Sequence, residues 1–512
     1  MRAVALVALA SAVAGACATR EMPAATGPLV ASRSTGSADI DVDVDVLPDA
    51  AGLVGGVSLR LCARGPWPRR VVPENRRARA FLVSAVDDHG HALPLDADGV
   101  RTKDLAGCAR IVIDIGRLAD AVADKDLALR AGDDLIITPD LWLWRPEPLN
   151  DARLFVKVNA APFDALMPWS RREGDVEHGR LIVDRSTFAL KSDSVFGRFK
   201  VSHLDAAGAR FDVAWLDDGR APAQLESWLA SSAAAVGTLL GHYPVPHVNV
   251  LIVPTHVTRP IVVAFFSRGG GPTATIFVGE GAIGEGGIDP DDLDATGRWA
   301  LTHELSHALL PPVQPQDAWL NEGLATWHQE LLARRGGLIL DDTAYWSEVV
   351  RGLATGKARA ATDGLSVAEA SRRMHQTGAY QHAYWAGVGV MLLAELAAQR
   401  RGASIDDLVR ALRAAIPRDD RPRSAAELLA VPRDGKARIA ADALTETFAA
   451  ERDRPFPNVD PALAALGIIV NERGEVTKLD DTAVAASIRR AIADGAKQDA
   501  AGATRTTSSA QR

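Results

Sequence analysis

The chain is predicted to be an α+β multidomain protein: an N-terminal antiparallel β-domain, then an α+β domain, then a C-terminal helical region. Three observations carry that prediction. At 512 residues the chain exceeds what one hydrophobic core serves. Its first part alternates apolar and polar residues at period two, in short runs separated by turn residues. After residue 218 apolar residues recur at three- and four-residue spacing, and from about Asp292 that spacing dominates. Hydrophobic residues at 47% and charged residues at 24% are an ordinary globular balance, which excludes global disorder. A formal net charge of −8 without any basic stripe argues against a nucleic-acid partner, because phosphate neutralisation needs a basic surface.

The first element is an address. Arg2 precedes an apolar run, Ala3 to Ala16, long enough for the core of a signal peptide (residues 1–16) and too short to span a bilayer. No other segment offers about 18 uninterrupted apolar residues, so no transmembrane helix is expected in the mature chain. Val13-Ala14-Gly15-Ala16-Cys17 resembles the lipobox of bacterial lipoproteins, with Ala14 where Leu is usual. That resemblance implies a lipid anchor through Cys17, with Ala18 favouring the outer membrane; simple cleavage nearby is the alternative. The expected location is therefore outside the cytoplasm, periplasmic or anchored to the outer membrane. Residues 17–37, rich in Ala, Thr, Ser, Gly and Pro, read as a flexible tether.

The β-rich domain is predicted over residues 38–218. Ile40, Val42, Val44 and Val46 alternate with Asp41, Asp43 and Asp45, a strand with one buried and one wet face. The acidic repeat lacks the Gly and terminal Glu of a calcium loop, so a solvated strand face is the better reading. Further strands are expected at Val57–Leu61, Ala80–Val86, Arg110–Ile115, Asp134–Ile137, Leu154–Val158, Arg180–Val183 and Arg210–Trp215. Leu141-Trp142-Leu143-Trp144-Arg145-Pro146 reads as one more strand, packing two indoles on one face. Cys62 and Cys108 either pair in an oxidising compartment or remain two buried thiols.

Residues 219–400 form the next predicted domain, 401–495 a helical C-terminal region, and 496–512 a disordered tail. A helix is expected from Pro222 to Leu240, then strands at His247–Val253, Ile261–Phe266 and Thr273–Val278. Helices follow at about 292–310, 316–335, 342–354, 366–376, 378–400 and 404–416, with more near 424–431 and 438–451. Gly336 is placed to cap the second of them.

The chemistry begins at His303-Glu304-Leu305-Ser306-His307. Residues four apart share a helix face, so both imidazoles can converge on one cation. Glu304 lies about 100° further round, beside the ion rather than on it, where a carboxylate can take a proton from zinc-activated water. The five-letter pattern alone is only suggestive. Trp319-Leu320-Asn321-Glu322-Gly323 decides the matter, because a catalytic zinc needs a third protein ligand and one open position. Pro311, Pro312 and Pro315 end the first helix and turn the chain, so an antiparallel second helix can return Glu322 to the metal.

The H-E-x-x-H helix followed by W-L-N-E-G resembles the gluzincin metallopeptidases, above all the glycyl aminopeptidase and peptidase MA-like family, over about residues 220 to 400. The resemblance implies a thermolysin-like α+β catalytic domain with one zinc ion on His303, His307 and Glu322, and with Glu304 as general base. Tyr380-Gln381-His382-Ala383-Tyr384-Trp385-Ala386-Gly387 resembles the pattern in which a tyrosine three residues before a glycine steadies the oxyanion. That implies Tyr384, with Tyr380 one turn earlier as a second candidate; His375 and His382 read as surface or packing residues. The family's aminopeptidases carry an amine-gripping glutamate after a glycine-rich stretch. Here Gly269-Gly270-Gly271 leads into Pro272-Thr273-Ala274, and only the more distant Glu280 and Glu285 remain.

The expected activity is zinc-dependent peptide-bond hydrolysis, on a peptide or protein lying along the strand near Thr273–Val278. Exopeptidase and endopeptidase action are both open. The alternatives are a non-catalytic zinc-binding scaffold of the envelope and a zinc hydrolase of non-peptide amides.

Overall fold

In the computed structural model the described residues are 39–124, 127–148, 152–169, 180–183, 188, 192–216, 223–257, 261–268, 270–279, 298–417, 421–471 and 474–495. The expected signal peptide, Cys17, the tether, Glu280, Glu285 and the C-terminal tail lie outside them. No described helix is long and apolar enough to cross a membrane. The helices are α1 (Ile115–Ala121), α2 (Pro139–Trp142), α3 (Ala223–Gly237), α4 (Arg298–Ser306), α5 (Ala318–Arg335), α6 (Asp342–Asp363), α7 (Val367–Thr377), α8 (Tyr380–Arg400), α9 (Ile405–Ala415), α10 (Ala425–Leu429), α11 (Gly435–Glu451), α12 (Asp460–Ala465) and α13 (Ala486–Asp494). The architecture is α+β, and the chain divides into two compact units.

The first unit takes the chain up to Ala233, then Tyr243–Pro315 and Pro417–Arg423. Its largest sheet has six strands, centred on Ile40–Pro48 and Val54–Ala63. Ile40, Val42, Val44 and Val46 are buried as the alternation requires. The acidic face carries arginines: Asp41 pairs with Arg64 at 2.8 Å and Asp43 with Arg180 at 2.7 Å. These pairs lie on the polar, partly exposed face of the strand. Cys62 and Cys108 sit directly opposite each other on neighbouring antiparallel strands and form a disulfide. Residues 141–146 depart from the expected strand. Thr138-Pro139 opens the short helix α2, since proline suits the first helical position, and the chain becomes extended only at Arg145–Glu147. Trp142 and Trp144 are nevertheless both buried, and Trp142 meets Phe196 edge to face at 5.3 Å.

A five-stranded sheet in the same unit runs in the order Lys200–Ala206, Ala209–Trp215, His247–Thr255, Thr273–Gly279, Ile261–Ser267. It takes two strands from before residue 218 and three from after it. Thr273–Gly279 is hydrogen-bonded on both sides, parallel to His247–Thr255 and antiparallel to Ile261–Ser267. It therefore cannot accept a peptide as an added strand, which corrects the expectation for Thr273–Val278. Ile261–Ser267 is the edge, and α4 packs against it.

The second unit comprises Ala234–His242, Gln316–Ile416 and the chain from Ser424. Capping boxes begin α7 (Ser366 with Glu369) and α9 (Ser404 with Asp407). Gly336 caps α5 as expected, and its lack of a side chain also admits Ala235, which a Cβ would meet at 2.6 Å. α8 is the central element, packed against α5, α6, α7, α9 and α11. The α12–α13 region, with a small hairpin of Ile468–Val470 and Val476–Leu479, was not foreseen in sequence.

Candidate metal centre

α4 ends at Ser306, and one 3₁₀ turn, His307–Leu309, completes it before Pro311 and Pro312 stop the helix. A second 3₁₀ turn, Pro315–Asp317, leads into α5. His303, His307 and Glu322 each present one ligand atom, and these atoms lie within 4.8 Å of one another. The His303 and His307 rings stand nearly perpendicular with centroids 5.0 Å apart. The Glu304 carboxylate lies 4.0 Å from His307 Nε2, alongside the cluster, as its place on the helix requires.

Burial sharpens the meaning of this geometry. His303, Glu304, His307 and Glu322 are 0 to 4% exposed. Two imidazoles and two carboxylates gathered out of water are costly unless a cation shares the site. Two His and one Glu are the donor set of a catalytic zinc, and tetrahedral bonds of about 2 Å put ligand atoms roughly 3.3 Å apart, inside the observed limit. The residues fit one zinc ion.

Three side chains that sequence reasoning did not single out bond to the cluster or to the helix that carries it. The Asn321 amide donates to Glu322 Oε1 at 2.8 Å. The Tyr243 hydroxyl donates to the Leu305 carbonyl at 3.0 Å, and the Arg268 guanidinium donates to the His307 carbonyl. These carbonyls fall where α4 runs out, at the end of a helix where backbone acceptors commonly take partners from outside it. Asn321 was visible as the neighbour of Glu322; Tyr243 and Arg268 carry no local signal.

Tyr384 is buried on α8, with the Tyr380 ring 6.4 Å away. Tyr380 in turn places its hydroxyl 3.5 Å from His375 Nδ1. His382 is fully buried and ties α8 to its surroundings, with Nε2 2.7 Å from the Pro455 carbonyl and Nδ1 3.3 Å from the Asp363 carboxylate. It is a packing residue, as expected. Thr273 and Ala274 are buried in the inner strand.

No family model matches the chain, and no curated protein matches it. Among solved structures, the chain is similar to an aminopeptidase N family protein from Idiomarina loihiensis, with a TM-score of 0.58 and 13% identity over 84% of this chain and 79% of that one. Native yeast LTA4 hydrolase matches with a TM-score of 0.45 and 12% identity, over 84% of this chain and 70% of that one. The first likeness establishes a shared fold, in agreement with the multidomain α+β architecture expected.

Proposed function

We propose that the protein is a zinc-dependent metallopeptidase in which His303, His307 and Glu322 hold the metal and Glu304 is the general base. The observation that carries this reading is the convergence of three buried ligand atoms within 4.8 Å with a fourth side chain, Glu304, beside them and not among them. A site built only to bind metal has no use for that buried carboxylate. The fold shared with an aminopeptidase N family protein supports peptides as the substrate class.

When bound, a zinc ion would polarise the scissile carbonyl and bring the pKa of water towards 7. Glu304 takes the proton of the attacking water and returns it to the leaving amine. The Tyr384 phenol donates a hydrogen bond to the oxyanion as negative charge develops. The substrate backbone adds to the edge strand Ile261–Ser267 by β-augmentation, next to the helix that carries both histidines. The Cys62–Cys108 disulfide supports export to an oxidising compartment.

Hydrolysis of a peptide library, with and without chelator and read by mass spectrometry, tests the proposal. Glu304→Gln is expected to lower the rate by at least about 10²-fold while elemental analysis still finds zinc; His307→Ala is expected to lose the metal. An active Glu304→Gln enzyme refutes the base. Chelator-sensitive hydrolysis of simple amides without peptide products identifies the non-peptide hydrolase, and no hydrolysis of either identifies the scaffold. Products shortened from a free N-terminus distinguish an aminopeptidase from an endopeptidase.

A further inference from the structure

α5 carries Glu322 and α8 carries Tyr384, and the two helices touch backbone to backbone at one point. A Cβ on Gly323 would lie 2.6 Å from the Gly387 Cα; one on Gly387 would lie 2.5 Å from the Gly323 Cα and 2.6 Å from the Trp319 carbonyl oxygen. Ordinary contacts begin at 3.4 Å, so a side chain on either glycine requires the two backbones to move apart. Gly323 directly follows Glu322. Tyr384 stands three residues before Gly387, on the same face of α8, so the phenol belongs to the side of α8 that meets α5.

The opposite side of α8 is keyed as tightly. Trp385, about 200° from Gly387 around the helix, lies against Gly352 and Gly356 of α6, where added Cβ atoms would fall 1.9 and 2.3 Å from it. Its indole nitrogen is held by Gln381 at 3.1 Å. Close contacts therefore hold α8 on both sides, backbone against backbone at Gly323–Gly387 and indole against backbone at α6.

We propose that the Gly323–Gly387 contact is the positioning device that fixes how closely α8, which carries Tyr384, approaches α5, which carries Glu322. Gly323 and Gly387 are positioning residues, acting through the two side chains beside them. The proposal rests on the reading of Tyr384 as oxyanion donor and Glu322 as ligand. A methyl group at the contact forces the backbones apart by roughly 1 Å, a misplacement that costs a pre-organised site about 10²-fold in rate.

The test is a cycle of Gly387→Ala and Tyr384→Phe, assayed with the best-cleaved member of a quenched-peptide library, with zinc content and thermal midpoint measured on each variant. Gly387→Ala is expected to lower kcat about 10²-fold, with KM within about threefold and one zinc per chain. In the Tyr384→Phe background the same change is expected to cost less than about threefold, because the group it misplaces has already gone. Leu412→Ala in α9 supplies a comparable loss of stability with kcat unchanged, which separates positioning from general destabilisation. A crystal structure of Gly387→Ala, showing α8 displaced from α5, is the readout independent of activity. Should Gly387→Ala not fold, Gly323→Ala tests the same contact from α5. Normal kcat in the glycine variant, or an equal loss with and without the Tyr384 hydroxyl, overturns the proposal and leaves Tyr384 in place. Full activity of Tyr384→Phe alone refutes the oxyanion assignment and the proposal with it.

Discussion

Asn321 bears directly on the proposed ligand role of its neighbour, Glu322. Its amide holds Glu322 Oε1 at 2.8 Å, which fixes how the carboxylate is turned. Partners of this kind typically contribute 10- to 100-fold to metal affinity. Asn321→Ala is therefore expected to weaken zinc binding by about that factor, measured by competition with a chromogenic chelator; unchanged affinity would show that Glu322 orients itself. The clustering of His303, His307 and Glu322 was legible because a metal site demands fixed residue types at fixed helical spacing. Asn321 was visible only as a neighbour, since adjacency in a helix does not specify which way a side chain bends. His382 was correctly read as packing, though its carbonyl and carboxylate partners come from residues 455 and 363, beyond the reach of local pattern.

At the scale of elements, the cost of ending a helix beside the candidate metal centre falls on its last carbonyls. Tyr243 and Arg268 arrive from other segments to satisfy those of Leu305 and His307. Tyr243→Phe keeps the ring and its edge-to-face contact with Phe211, 5.2 Å away, but strands a buried carbonyl. The expected loss is about 1–3 kcal/mol, seen as a lowered thermal midpoint, with zinc content unchanged; an unaltered midpoint would mean the carbonyl finds another donor. Helices and strands themselves were readable wherever periodicity ran long, as in α5, α8 and Ile40–Pro48. Two short elements were misread for physical reasons. Pro139 nucleates a four-residue helix where two tryptophans suggested a strand. Thr273–Gly279 was taken for a substrate strand because pairing order is not written in local alternation, although its nearly unbroken burial is the mark of an inner strand.

For the molecule as a whole, the consequence least visible in sequence is how stability responds to pH. Among the titratable side chains that α8 and α5 bury, Glu395 and His328 are strongly shifted, in opposite senses. Glu395 is pushed up to about 7 by burial and by the negative charge of Asp406, against hydrogen bonds from the Ile405 amide and Gln399 that pull it down. A carboxyl raised above its ordinary 4.5 favours the folded state fully below 4.5, and that contribution is lost as pH rises through 7. His328 works in the opposite sense. Burial pulls it down to about 4, outweighing the attraction of Asp406 and reinforced by Arg335, and among the described residues neither ring nitrogen has a hydrogen-bond partner. Its contribution is complete above 6.5 and is lost as pH falls through 4. Each shift corresponds to about 3 kcal/mol, so between pH 4 and 8 the two nearly cancel and the wild-type profile is expected to be flat from this source. Glu395→Gln removes one side of that balance. The amide oxygen can still accept from the Ile405 N–H, and a flipped Gln399 amide can accept from the new NH₂, so the packing survives. The variant is expected to match wild type in urea unfolding near pH 4.5, and to exceed it by up to about 3 kcal/mol at pH 8. Its stability then rises from pH 4 to 7 where the wild type stays level, whereas parallel profiles at every pH would show that Glu395 is ionised in the folded chain at little cost.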